Sequence, residues 1–216
     1  MKYFLYDFAG YNKILFQKIN TWLGLEESYI LSFADQIGLY RSFPIILSIM
    51  MIYCYLSIVS LKNDRLAYIE RVNLWFKTFS TLFISMFLML GIVAFVKMNF
   101  TFARPFCSDD MTNIKVFAAA LSNVHCHQSF PSGHTAYSCT LLFSLWPVLN
   151  TGTRMFGIFL AGSVAISRIA SGVHFPADLL WAAIISATIV SITQKLVDKA
   201  TKILSPHIVE IADHKF

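Results

Sequence analysis

Five stretches of this chain are apolar over nearly the length of a lipid bilayer: Phe43 to Leu61, Thr78 to Val96, His134 to Leu149, Met155 to Ile169 and Ala177 to Ile192. A membrane-crossing helix takes roughly 20 such residues, so five consume about half of the 216 available. Composition closes the alternative of a water-soluble domain. Hydrophobic residues make up 56% and charged ones 13%, against about 25% charged in soluble domains. That much apolar surface cannot be hidden in one water-facing core of this size. The sequence predicts an all-α integral membrane protein, a bundle of five to six transmembrane helices with an N-terminal interfacial amphipathic arm. Residues 1–42 form the arm, 43–194 the transmembrane core and 195–216 a cytoplasmic tail. No room remains for a second domain or a nucleic-acid module, and no internal repeat is present. In a membrane chain the net charge of +5 sets topology and names no nucleic-acid partner.

In the arm, Tyr11, Leu15, Ile19 and Trp22 recur at helical spacing, with Lys13, Gln17, Lys18 and Asn20 on the other side. A helix in the headgroup plane fits this pattern better than a sixth span packed in the bundle, because Lys13 and Lys18 would each cost about 2.5–3.5 kcal/mol at mid-bilayer. Asp7, Lys13 and Lys18 also interrupt any cleavable signal sequence. With the span ends taken alternately, Lys62, Arg65, Arg71, Lys77, Arg154, Lys195, Lys199, Lys202 and Lys215 fall on one side. Lys2, Lys13, Lys18, Arg41 and Lys115 fall on the other. The richer side is the cytoplasmic one.

Three polar clusters interrupt the apolar pattern, all at span ends on the opposite, non-cytoplasmic side. Lys97 and Arg104-Pro105 follow the second span; Pro131-Ser132-Gly133-His134 opens the third; Ser167-Arg168, His174 and Asp178 lie between the fourth and fifth. Charged groups at membrane depth are expensive and mark function. Lys97, Arg104 and Arg168 can neutralise a phosphate dianion, the arginines as planar forks and the lysine as a point charge. Ser132 is suited to cap the third span, and Gly133 lets the backbone amides of Gly133 and His134 face an anion. His174 and Asp178 are four apart, with Pro176 favouring a first helical turn between them. The carboxylate can hold one imidazole nitrogen and leave the other as base or nucleophile.

Lys-x6-Arg-Pro, Pro-Ser-Gly-His and Ser-Arg-x5-His-x3-Asp, in this order, resemble the three signature motifs of the type 2 phosphatidic acid phosphatase (PAP2) superfamily, without a substitution. Pro-Ser-Gly-His alone would arise by chance with a probability on the order of 10⁻³ in a chain this long. The resemblance implies that His174 takes the phosphoryl group as a phosphohistidine, that Asp178 orients it, and that His134 protonates the leaving oxygen. It further implies that Lys97, Arg104, Ser132, Gly133 and Arg168 hold the phosphate oxygens, with no metal and no cofactor. The implied substrate is a phospholipid or a polyprenyl or lipid A phosphate. Undecaprenyl pyrophosphate, phosphatidylglycerophosphate, phosphatidate and lipid A 1-phosphate all fall within that class. The implied location is a bacterial inner membrane, with the site facing the periplasm. The rival reading is a non-catalytic lipid-phosphate binder or transporter, for which the cations alone would suffice.

Of the four cysteines, Cys54 and Cys139 lie in apolar runs, where a thiol acts as a small hydrophobe. Cys107 and Cys126 are candidates for pairing, as a disulfide if their loop faces an oxidising compartment and as free thiols otherwise. His125-Cys126-His127 is not expected to bind metal, since adjacent residues cannot converge on one ion and no fourth ligand is evident. Trp75, Trp146 and Trp181 read as interfacial or packing aromatics.

Overall fold

The computed structural model describes residues 6–23, 33–34, 36–38, 40–108, 111, 113–117 and 125–213, with side chains described as far as residue 203. The expected arm and tail therefore lie partly outside the described residues. Among the described residues the regular structure is helical: α1 (Tyr11–Leu23), α2 (Phe43–Val59), α3 (Arg65–Asn99), α4 (Gly133–Leu145), α5 (Thr151–Ala170) and α6 (Pro176–Asp213). Four segments are long and apolar enough to cross a membrane: Tyr40–Val59, Arg65–Asn99, Thr151–Ala170 and Pro176–Ile203. The protein is a multi-pass membrane protein.

Local chemistry sets the helix ends. The Asp64 carboxylate accepts from the Ala67 amide at 3.1 Å to start α3, and the Asn150 side chain accepts from the Thr153 amide at 2.9 Å to start α5. Each satisfies an amide that the first turn leaves without a helical partner. The stretch Asn150 to Thr153, which reads as a turn, thus serves mostly as the beginning of α5. Pro147 has no amide hydrogen to donate, and α4 stops at Leu145 in a single 3-10 turn over Trp146–Val148. α4 is accordingly shorter than the apolar run that contains it. Conversely, α3 and α6 run well past the spans expected from hydropathy, and Lys77 on α3 pairs with Asp198 on α6 at 2.9 Å.

α4 is enclosed by its neighbours. Ala136, Tyr137 and Leu141 pack with Leu82, Met86, Met89 and Val93 of α3 and with Ala182 and Ile189 of α6 in one core cluster. Ser186 Oγ donates to the Ala136 carbonyl at 2.9 Å, tying α6 to α4. α2 joins this core along one edge, where Met50, its one buried residue, belongs to the cluster and Phe43 and Ile46 pack against it, whereas Ile45, Ile49, Ile52, Tyr55 and Leu56 are exposed, as a lipid-facing helix requires. Trp75 Nε1 donates to Ser57 Oγ at 2.7 Å, holding α2 to α3. This antiparallel course brings the end of α3, the start of α4, the end of α5 and the start of α6 to one end of the bundle.

α1 uses a different face from the apolar stripe in its sequence. Asn12, Phe16 and Asn20, spaced by four, are the buried residues, whereas Tyr11, Leu15 and Trp22 point outward. Asn20, placed on the polar side by sequence, is buried because its amide is fully used. Nδ2 donates to the carbonyls of Lys115 at 2.9 Å and Ala170 at 3.0 Å, and Oδ1 accepts from the Lys115 amide at 2.9 Å.

Candidate active site

The loop from α5 to α6 forms the floor. Two residues past the end of α5 stands Gly172, whose φ of +76° suits glycine, and a Cβ there would come within 2.7 Å of the Lys115 carbonyl oxygen. The chain then turns so that His174, almost wholly buried, faces back along the first turn of α6. His174 Nδ1 lies 3.2 Å from Asp178 Oδ2. The other ring nitrogen, Nε2, lies 3.2 Å from Arg104 Nη1. An Nδ1–H donating to the carboxylate leaves the Nε2 lone pair directed at the guanidinium. Burial, reinforced by the positive field of Arg104, Lys97 and Arg168 and by His134, holds the His174 imidazole well below the ordinary histidine range. The ring is therefore a neutral base at pH 7.

Asp178 is completely buried and fully engaged. Oδ2 accepts from Ser129 Oγ at 2.5 Å and from the Phe175 amide at 2.9 Å, and Oδ1 accepts from the Tyr6 hydroxyl at 2.7 Å. Those donors spread the carboxylate charge and fix its plane.

The cations close over His174. Arg104 leaves α3 on an extended segment, and its guanidinium is pinned by backbone oxygens. Nε donates to the His125 carbonyl at 3.0 Å, Nη1 to that of Val173 at 2.9 Å and Nη2 to that of Gln128 at 3.0 Å. Lys97, in the last turn of α3, donates to the same Gln128 carbonyl at 3.3 Å. Arg168 projects from the last turn of α5 and is 3% exposed. Its charge acts on His174, as do those of Lys97 and Arg104. Ser132 caps α4, accepting from the Thr135 amide at 3.5 Å, and its own amide donates to the Asp178 carbonyl at 3.2 Å. A Cβ on Gly133 would touch nothing within 4 Å, so open space lies over the start of α4. His134 follows at once.

Cys107 and Cys126 are joined in a disulfide with Cα atoms 5.7 Å apart. It crosses the base of the long α3–α4 loop, beside the carbonyls that hold Arg104. All eight residues named from sequence therefore converge on one end of the bundle. Sequence reading missed Tyr6 and Ser129. Ser129 stands three residues before Ser132 and carried a weak positional signal; Tyr6 carried none.

A buried histidine–carboxylate pair under three cations at a membrane-helix boundary defines a phosphate-handling membrane protein. The chain belongs to the PAP2 superfamily, whose signature it matches over residues 78–202. Its fold is similar to the crystal structure of Aquifex aeolicus LpxE, at 21% identity and a TM-score of 0.59, over 84% of this chain and 93% of that one. No curated protein matches in a sequence comparison. Family and fold together support a phosphatase acting on a lipid phosphate.

Proposed function

We propose that the protein hydrolyses a lipid phosphate or pyrophosphate through a phosphohistidine, at the periplasmic face of a bacterial inner membrane. The observation that carries this reading is the His174–Asp178 pair, whose free Nε2 lies in the grip of Arg104. An entering phosphate competes for the guanidinium and exposes the Nε2 lone pair to phosphorus. Nε2 then bonds to phosphorus as the P–O bond to the lipid breaks, and His134 gives its proton to the departing oxygen. Asp178 stabilises the positive charge gained by the ring. In the second half, His134 takes a proton from water, the water oxygen attacks phosphorus, the P–N bond breaks and inorganic phosphate leaves.

Phosphoryl transfer asks chiefly for positioning and for neutralisation of the equatorial oxygens. Lys97, Arg104 and Arg168 supply the charge, and the amides of Gly133 and His134 supply donors at a helix N-terminus. This scheme uses no metal. The excess of basic residues at the opposite end of the bundle supports the periplasmic orientation, and so does the Cys107–Cys126 disulfide, since such bonds persist in oxidising compartments.

The deciding experiment is phosphate release in detergent from a panel of undecaprenyl pyrophosphate, phosphatidylglycerophosphate, phosphatidate and lipid A 1-phosphate, with and without EDTA. Turnover of at least one lipid that survives chelation and is lost in His174→Ala is expected. Tight binding of a lipid phosphate with no release would favour the transporter reading. Loss on EDTA, restored by a divalent ion, would overturn the metal-free scheme.

A further inference from the structure

The segment before α2 lies outside the part of the chain that matches the superfamily signature, yet it reaches the centre of the site. Tyr6 Oη donates to Asp178 Oδ1 at 2.7 Å. Its ring is set among Phe102, Phe130 and Phe175, with centroids 4.6, 5.8 and 6.5 Å away. Six residues later Asn12 Oδ1 accepts from the Ala177 amide at 2.9 Å, at the start of α6. One turn beyond, Phe16 packs on Phe175 at 5.3 Å. Asn20 then holds the Ala170 carbonyl at the end of α5. Four successive contacts thus run along the loop that carries Arg168, His174 and Asp178.

We propose that this N-terminal segment is a splint for the catalytic loop and that Tyr6 is a positioning residue, fixing the carboxylate that in turn fixes His174. The proposal rests on the phosphatase reading. Ser129 and the Phe175 amide hold Oδ2, the oxygen that faces the imidazole. Without Tyr6, Oδ1 loses its hydroxyl donor, and the carboxylate can rotate about its Cβ–Cγ bond. Burial, followed by the Asp178 carboxylate itself, raises the Tyr6 phenol well above its ordinary value, so the hydroxyl remains a donor throughout the neutral range.

Tyr6→Phe keeps the ring in its aromatic setting and removes the hydroxyl alone. In the full chain, kcat on a lipid monophosphate should fall on the order of tenfold, the scale of one charge-assisted hydrogen bond, while KM stays within about twofold. The charged and titratable groups around His174, namely Arg104, Lys97, Arg168, His134 and Asp178, are unchanged in the variant. With one donor fewer, Asp178 concentrates negative charge near the imidazolium, so the acid limb of kcat/KM should move to higher pH. In protein labelled with ¹⁵N-histidine, the His174 ring resonances, assigned by their absence in His174→Ala, should shift in Tyr6→Phe and in Ser129→Ala. Tyr11→Phe, on the exposed side of α1, should shift neither activity nor resonances. If the wild-type chain releases no phosphate from any lipid, the phosphatase reading fails, and the ring resonances alone decide whether Tyr6 positions the pair. Unmoved resonances in Tyr6→Phe, whether kcat holds or the melting temperature drops, would make Tyr6 a packing residue and overturn the proposal.

Discussion

His174 and His134 both sit under the same positive field, yet their tasks separate by leaving group. Proton donation matters when the departing oxygen is a poor leaving group, and is worth about 10²–10⁴-fold. His134→Ala should therefore lose far more activity on a lipid monophosphate than on p-nitrophenyl phosphate, with a pyrophosphate lipid between them. His174→Ala should lose all three. Equal losses for His134→Ala on every substrate would reduce that residue to a phosphate ligand. Asp178→Asn retains hydrogen bonding but not charge, and should lower kcat far more than it changes KM. The pH dependence follows from burial. A histidine held below its ordinary range stays unprotonated, and so nucleophilic, further into acid than one in water. The acid limb of kcat/KM, corrected for ionisation of the substrate phosphate, should lie below the ordinary histidine value of about 6.5. A limb at or above that value would mean that His174 is solvated in the working enzyme.

At the scale of elements, the sequence was most informative where one residue type has one geometric use. Ser132, Gly133 and His134 occupy a helix start, and His174 and Asp178 face each other across one turn, because capping and i,i+4 spacing are local rules. Helix extent was less legible. Hydropathy sees only the lipid-matched part of α3 and α6, and it cannot see that Pro147 ends α4 early. Tyr6 and Ser129 were illegible for a different reason. A tyrosine 172 positions from its acceptor leaves no periodicity to detect, and the apolar stripe of α1 drew attention to Tyr11, Leu15 and Trp22, which are exposed, and to Ile19, which only flanks the core. The α3–α4 loop lies between these extremes: two cysteines flagged it, and the structure joins them. Cys107→Ala with Cys126→Ala should destabilise the protein by about 2–4 kcal/mol, read as a lower midpoint of thermal unfolding in detergent. Activity should fall as well, since the carbonyls of His125 and Gln128 that aim Arg104 lie next to Cys126. Unchanged activity would show that the carbonyls of His125 and Gln128 keep their hold on Arg104 without the disulfide.

For the whole molecule, orientation is the property on which the choice of substrate pool depends. With Cys54 and Cys139 replaced by serine, a cysteine substituted at Asn113 should react with a membrane-impermeant maleimide in intact spheroplasts, and one at Asn63 should not. The reverse pattern would turn the protein over and give it cytoplasmic lipids to work on. The α1 contacts carry a consequence for how the protein is made. Asn12 and Asn20 find their partners 165 and 150 residues further along the chain. At about 5–20 residues per second, synthesis must run on for roughly 10–30 s after the splint emerges before those partners exist. Throughout that wait the Asn12 side chain has no counterpart and Asn20 can meet only Lys115, while the helices that will enclose the site enter the bilayer one after another. The contacts that splint the catalytic loop can thus form only late in synthesis, and a ribosome-bound chain halted before α6 would hold Lys97, Arg104, Arg168 and His174 without Asp178, the carboxylate that orients the nucleophile.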